Sequence, residues 1–265
     1  MNTTERPTST TKIKVPKELG ISEDWTIMVP NTYSGAPKPL IGFDYDGTLV
    51  DSAETYCEAA KQIVMMYTDD LSRIPTLEQF QHGVFPDFHS WGVPRKVPID
   101  DAWSIFQSLV TKIEQRKPSA FFDGVVTQIR EIATRFHIVI VTLNSIHPVS
   151  RVVKDATGVD VDTLVVEDKT AVLSHLACQH GYHYNREILP FYYFGDSVGD
   201  MRASNATCGL VYPVAVTRKA RLSCAHERRI FSERMRSYGA RAIVSHSRML
   251  DVVNGVIKVD GAILI

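Results

Sequence analysis

Cysteine is scarce and scattered. The four thiols, Cys57, Cys178, Cys208 and Cys224, form no C-x-x-C pair. That excludes a thiolate zinc site and a disulfide frame, and it leaves reduced thiols of a cytoplasmic chain as the expectation. Long apolar runs are absent too. None approaches the roughly 20 residues that span a bilayer, and the polar, Thr-rich N-terminus has no signal-peptide core, so no membrane partner is expected. Net charge is nearly missing: at −1 it sets up no field that would draw the chain to nucleic acid or a lipid surface. The local exception is Arg218 to Arg236, with seven Lys or Arg beside Glu227 and Glu233. No nucleic-acid motif accompanies it, so a solvated helix face is expected. Internal repeats and low-complexity tracts are also lacking.

Against these absences stands Leu40-Ile41-Gly42-Phe43-Asp44-Tyr45-Asp46-Gly47-Thr48-Leu49-Val50-Asp51-Ser52. A short apolar strand delivers two carboxylates, Asp44 and Asp46, at its carboxyl end, which is where open α/β sheets build their sites. Carboxylates two residues apart repel unless a proton or a cation relieves them. Mg²⁺ suits such a pair, because it takes hard oxygen ligands and fills its remaining positions with water and phosphate. Gly47 permits a sharp turn that can aim backbone N–H groups at an anion.

The 265 residues suffice for one large domain or a core plus a smaller module. Residues 1–38 read as a poorly ordered tail, with Trp25 to Val29 as its one apolar patch. From Ala53 to Tyr67 apolar residues recur at helical spacing. A second helix is expected to start near Thr76 and a third near Asp100 or Asp101, either of which would cap it. Pro118 closes this stretch, so residues 52–119 form an all-helical insert between two core parts, 39–51 and 120–265. Within the insert, His82, His89, Trp91 and Arg95 read as packed or solvated.

The core resumes with Asp123-Gly124 and a helix through Val125, Ile129 and Ile132. Strands follow at His137–Val141, Thr163–Val166, Phe191–Phe194, Gly209–Tyr212 and Ala242–Val244, with a helix over Thr170–His180 ended by Gly181. Strand alternating with helix predicts a doubly wound parallel sheet. Residues 256–265 are expected to form a hairpin about Asp260-Gly261.

Three further pieces carry polar side chains to comparable places. Val141-Thr142-Leu143-Asn144-Ser145 ends a strand in a hydroxyl that can donate to a phosphate oxygen without adding charge. Lys169 opens a helix. Phe194-Gly195-Asp196-Ser197-Val198-Gly199-Asp200 again brings carboxylates to a strand end.

These four pieces, in this order, resemble the four motifs of the haloacid dehalogenase-like superfamily, over about residues 39–250. The helical insert resembles the cap of its phosphoglycolate phosphatase-like branch. The resemblance implies a hydrolase of phosphoric monoesters. Asp44 is its nucleophile and Asp46 its general acid and base. Gly47, Thr142, Asn144 and Lys169 hold the phosphate, and Mg²⁺ is bound by Asp44, Asp46, Asp196 and Asp200. Asp200 is alternatively the residue that orients Lys169. Aspartate at both 44 and 46 favours P–O chemistry over attack on carbon. The implied partner is a small phosphorylated metabolite, and the protein is a monomer or homodimer. A phosphosugar mutase shares these residues, and a binding or regulatory protein on the same scaffold is the reading from another class.

Overall fold

The computed structural model describes residues 10–14, 26–30, 40–81, 87–143, 149–166, 168–183, 191–207 and 209–254. Asn144, Ser145, His82 and the expected hairpin at 256–265 lie outside them. Two strands, β1 (Thr10–Lys14) and β2 (Thr26–Pro30), pair antiparallel in the part expected to lack regular structure. Both are rich in β-branched residues, which favour extended backbone.

The core is a six-stranded parallel sheet of β3 (Leu40–Phe43), β4 (His137–Thr142), β5 (Asp162–Val165), β6 (Phe191–Gly195), β7 (Val211–Thr217) and β8 (Ala242–Ser245). Their order across the sheet is β5-β4-β3-β6-β7-β8. The chain runs outward from β3 to β5, then returns to the other side of β3 with β6. That reversal makes β3/β6 the switch point where such sheets open a crevice.

Continuous apolar runs suit strands covered on both faces. One face, with Ile41, Phe43, Ile140 and Phe194, packs against α4 (Val125–Arg135), α5 (Val149–Thr157) and α10 (Met249–Val253). The other face, with Leu40, Val139, Val141 and Tyr193, packs against α6 (Lys169–His183) and Ala203 of α7 (Val198–Asn205). Towards β8, Ala215 and Ile243 meet Phe231 and Met235 of α9 (Ala225–Ser237), with Leu222 of α8 (Lys219–Ser223).

β7 runs on through Pro213, where the sequence reading ended it at Tyr212. The Pro213 carbonyl accepts from the Arg241 N–H, so the proline nitrogen faces the β8 side. Pairing with β8 begins only at Val214, so the missing donor costs no ladder bond. α6 likewise continues past Gly181 to His183; an interior glycine lowers helix stability by only about 1 kcal/mol.

Between β3 and α4 lie α1 (Ala53–Tyr67), α2 (Leu77–Gln81) and α3 (Ile99–Arg116). They bury their own cluster, in which Ile63 and Val64 of α1 meet Phe106 and Val110 of α3, with Phe88 and Trp91 from the connection. Trp91 is thus core, while His89 and Arg95 are exposed. Asp100 and Asp101 do not cap α3. Pro98 holds that place, and both aspartates sit in the first turn, where their charge favours the helix N-terminus. Among the described residues no helix is long and apolar enough to cross a membrane.

Candidate active site

The sheet carries the polar groups to one rim. Asp44 follows β3, and its N–H donates to the Phe194 carbonyl at 2.8 Å, tying it to β6. Asp196 follows β6, Thr142 ends β4, and Lys169 opens α6 after β5. All four line one cavity of about 140 Å³ with Asp46 and Gly47.

Lys169 is the hub. Its Nζ donates to Asp44 Oδ1 at 2.7 Å and to Asp200 Oδ1 at 2.6 Å. Asp200 is fully engaged. Its Oδ1 also accepts from the Tyr193 hydroxyl at 3.2 Å, and its Oδ2 accepts from the Ser197 N–H at 3.1 Å and hydroxyl at 2.6 Å. Ser197 in turn accepts from the Asp200 N–H, a capping box that starts α7. Gly42 and Gly195 make this cluster fit. A Cβ on Gly42 would stand 2.8 Å from the Tyr193 ring, and one on Gly195 would stand 2.4 Å from Asp200 Cβ. Lys154, a lysine earlier in the chain, lies on α5 and pairs with Asp160 at the surface.

Gly47 sits at φ 75°, the left-handed region in which glycine is favoured. Its N–H donates to the Val50 carbonyl at 2.9 Å. Gly47 therefore gives the turn, and its own N–H is spent within it. A Cβ there would stand 2.1 Å from Asp196 Oδ2. The first and fourth motifs are in contact through the space that this glycine leaves.

Asp44, Asp196 and Asp200 offer oxygens within 4.8 Å of one another. Burial pushes the Asp44 carboxyl up to about 7; Lys169 opposes this, while Asp200 and Asp46 add to it. Burial, then Asp44 and Asp200, hold Asp196 well above the carboxylate range. For Lys169 burial acts downward, but Asp200 and Asp44 outweigh it and fix the ammonium. One ammonium thus faces several buried carboxylates, a donor set of hard oxygens that is short of positive charge. Mg²⁺ fits such a set by ligand type and by charge.

Several lining groups have no signature in the sequence. Tyr56, from α1, hydrogen-bonds to Asp46; burial first, then Asp46, push its hydroxyl well above the usual range. After β8, a ring nitrogen of buried His246 lies 2.9 Å from the Gly47 carbonyl, and its ring stacks on Phe122 at 3.6 Å. Burial lowers this imidazole to about 4, so it is neutral at pH 7. After β7, Arg218 pairs with Asp51, and Arg221 donates to the Gln81 carbonyl at the end of α2. Both arginines line the cavity, which corrects the solvated-face reading for this part of the basic stretch. Only their place after strands, as for Asp44 and Asp196, could have pointed to them.

No protein-family profile matches the chain, and no curated protein matches it by sequence. Solved structures do. A protein from Lactobacillus delbrueckii subsp. bulgaricus, provisionally named a phosphoglycolate phosphatase, superposes with a TM-score of 0.56 at 14% identity, over 85% of this chain and 100% of its own. A haloacid dehalogenase-like hydrolase from Streptococcus pneumoniae gives 0.53 at 15%, over 84% and 99%. A Thermotoga maritima protein provisionally named a beta-phosphoglucomutase gives 0.52 at 17%, over 83% and 100%. This is the haloacid dehalogenase-like fold. Here the parallel core carries the acidic rim described above, and the helices of residues 53–116 interrupt it between β3, which Asp44 follows, and β4.

Proposed function

We propose that the protein is a Mg²⁺-dependent phosphomonoesterase acting through an aspartyl-phosphate. The observation that carries this reading is the Lys169 ammonium held between Asp44 and Asp200, in the cavity that Asp46 and Asp196 also line. Phosphate monoester dianions repel nucleophiles, and their hydrolysis needs among the largest rate enhancements known. A site answers by setting positive charge and hydrogen-bond donors where negative charge gathers.

In this mechanism Asp44 attacks phosphorus, and the leaving oxygen departs with a proton from Asp46. A water then attacks the acyl phosphate and gives its proton to Asp46, which frees Asp44 and inorganic phosphate. Lys169 and the Thr142 hydroxyl bind phosphoryl oxygens. Tyr56 holds the Asp46 carboxyl in place, and His246 props the Gly47 carbonyl that follows it. Mg²⁺ would be held by Asp44, Asp196 and the Asp46 backbone carbonyl, and when bound it offsets phosphoryl charge. Asp200 positions Lys169, since both of its oxygens are already engaged. The helices of residues 53–116 serve as a cap whose Tyr56, Phe80, Trp103 and Phe106 face the leaving group and exclude water.

Purified protein is expected to release phosphate from an aryl phosphate with Mg²⁺, and to stop in EDTA. Asp44→Asn is expected to lower kcat by at least about 10³-fold, as losing a nucleophile does. Equal release by Asp44→Asn removes the proposal. Isomerisation of a sugar phosphate, primed by a bisphosphate and without net phosphate release, favours the mutase instead.

A further inference from the structure

Two arginines reach the cavity from the segment after β7, and they differ in one respect. Arg218 is balanced by Asp51 and lies over the Phe122 ring, 5.4 Å from its centroid. Arg221 is more buried, at 8% exposure, and has no carboxylate partner among the described residues. Its contacts are the Gln81 carbonyl and the Phe231 ring, 5.0 Å from the guanidinium carbon. A guanidinium is always charged and offers a planar fork of donors matched to an oxyanion. Burying one without a counter-ion is costly unless an anion completes it.

The charge it feels supports a ligand role. Burial works against the Arg221 cation, the charges of Asp196 and then Glu227 favour it from a distance, and Arg218 and Arg234 oppose it, with the shift downward on balance. Gln107 of α3 lines the same cavity, and its buried Oε1 has no hydrogen-bond partner among the described residues. An amide can turn either end towards a ligand, donating to an oxyanion or accepting from a hydroxyl. The cavity wall thus holds a guanidinium in direct contact with no carboxylate among the described residues, and an unmet amide, beside the rings of Phe80, Trp103 and Phe106.

We infer that Arg221 is a specificity residue that binds a second oxyanion, carboxylate or phosphate, on the leaving group of the phosphomonoester. The inference rests on the phosphatase reading for the position of the first phosphate. The α8 residue then measures the distance between the two anionic ends, and Gln107 contacts the part between them. Alkyl phosphates, whose tails carry no charge, leave the guanidinium unpaired and are the poorer substrates.

The test uses matched short-chain esters: alkyl phosphates, ω-carboxyalkyl phosphates and α,ω-bisphosphates. kcat/KM is expected to be at least about tenfold higher for one of the two anionic-tailed series than for the alkyl esters, the usual worth of a charge-assisted hydrogen bond. Which series wins assigns carboxylate or phosphate. Arg221→Met, which keeps the aliphatic stem against Phe231, is expected to bring the ratio to about one, and Arg221→Lys to retain part of it. Ratios near one in wild type, or a ratio unmoved by Arg221→Met, overturn the inference and leave the phosphatase standing. Calorimetry with unreactive alkyl and carboxyalkyl or bis-phosphonates separates the two readings. A tenfold binding preference that needs Arg221 upholds the subsite even in a protein without turnover. Equal binding of the phosphonates by wild type sinks it without any variant.

Discussion

Lys169 and its neighbours test the site one side chain at a time. The ammonium is 9% exposed and bonded to two buried carboxylates. Replacing it by Met removes the charge and leaves Asp44 and Asp200 facing each other across an apolar chain. Breaking a buried pair this way costs about 3–5 kcal/mol. Lys169→Met is therefore expected to lower the melting temperature and abolish phosphate release. Asp200→Asn, which keeps shape and one carboxamide oxygen for Lys169, is expected to lose less stability. Equal stability of Lys169→Met and wild type in thermal denaturation contradicts this ion-pair account. The residues of this cluster were legible because each follows an apolar strand or opens a helix at a recognisable spacing. Tyr56, Tyr193, Arg221 and His246 were not. Each is a single residue with no local pattern, delivered by the sheet's strand order or by helix packing. Gly47 was legible as a turn, but the use of its N–H by Val50 depends on a turn geometry that residue types alone do not fix.

At the scale of elements, apolar period and position fixed the existence of all six core strands, and packing decided their ends. The end of β7 beyond Tyr212 was not legible, because a lone strand cannot show which side the missing N–H of Pro213 faces. The edge neighbour β8 decides that by starting one residue later. The strand pair in the expected tail was not legible because the Ser, Pro and Lys around it mask two short runs of β-branched Thr, Ile and Val. The helices α1 and α3 were legible from spacing, but their common core was not. Phe88 and Trp91 come from a connection with no period, and Trp91 makes ring contacts with Phe80, Phe88 and Phe106. Trp91→Ala is expected to cost about 3–5 kcal/mol, as for large aromatic deletions in a core. The loss belongs to this helical unit, which shares few buried residues with the sheet. Amide exchange is expected to quicken in α1 and α3 while β3, β4 and β6 stay protected. Uniform loss of protection across the sheet contradicts a separately packed unit.

For the whole molecule, the balance of charge links folding, metal and pH. The chain is almost neutral, yet Asp44, Asp46, Asp196 and Asp200 gather at the sheet's rim. In the metal-free protein Asp44 keeps its proton up to about 7, because burial outweighs the help of Lys169. An unfolded aspartate releases it near 3.8. Between these values the folded state binds more protons than the unfolded one, so stability falls as pH rises. The contribution is whole below about 4 and lost by about 7, on the order of a few kcal/mol. In the proposed metal site Mg²⁺ would bind the ionised carboxylates and displace that proton, so its effect would run the other way. At a hundred times its Kd it adds about 2.7 kcal/mol, a rise of about 5–10 °C in a domain of this size. That rise is expected at pH 7.5 and to shrink by more than half at pH 5. Asp196→Asn, which removes a proposed ligand at the same rim, is expected to flatten the Mg²⁺ response at both values. Thermal melts with EDTA or Mg²⁺ across this pH range measure it without turnover. A Mg²⁺ shift that is the same at pH 5 and 7.5, or that survives Asp196→Asn, means that the ion sits elsewhere and that the rim carboxylates do not share it.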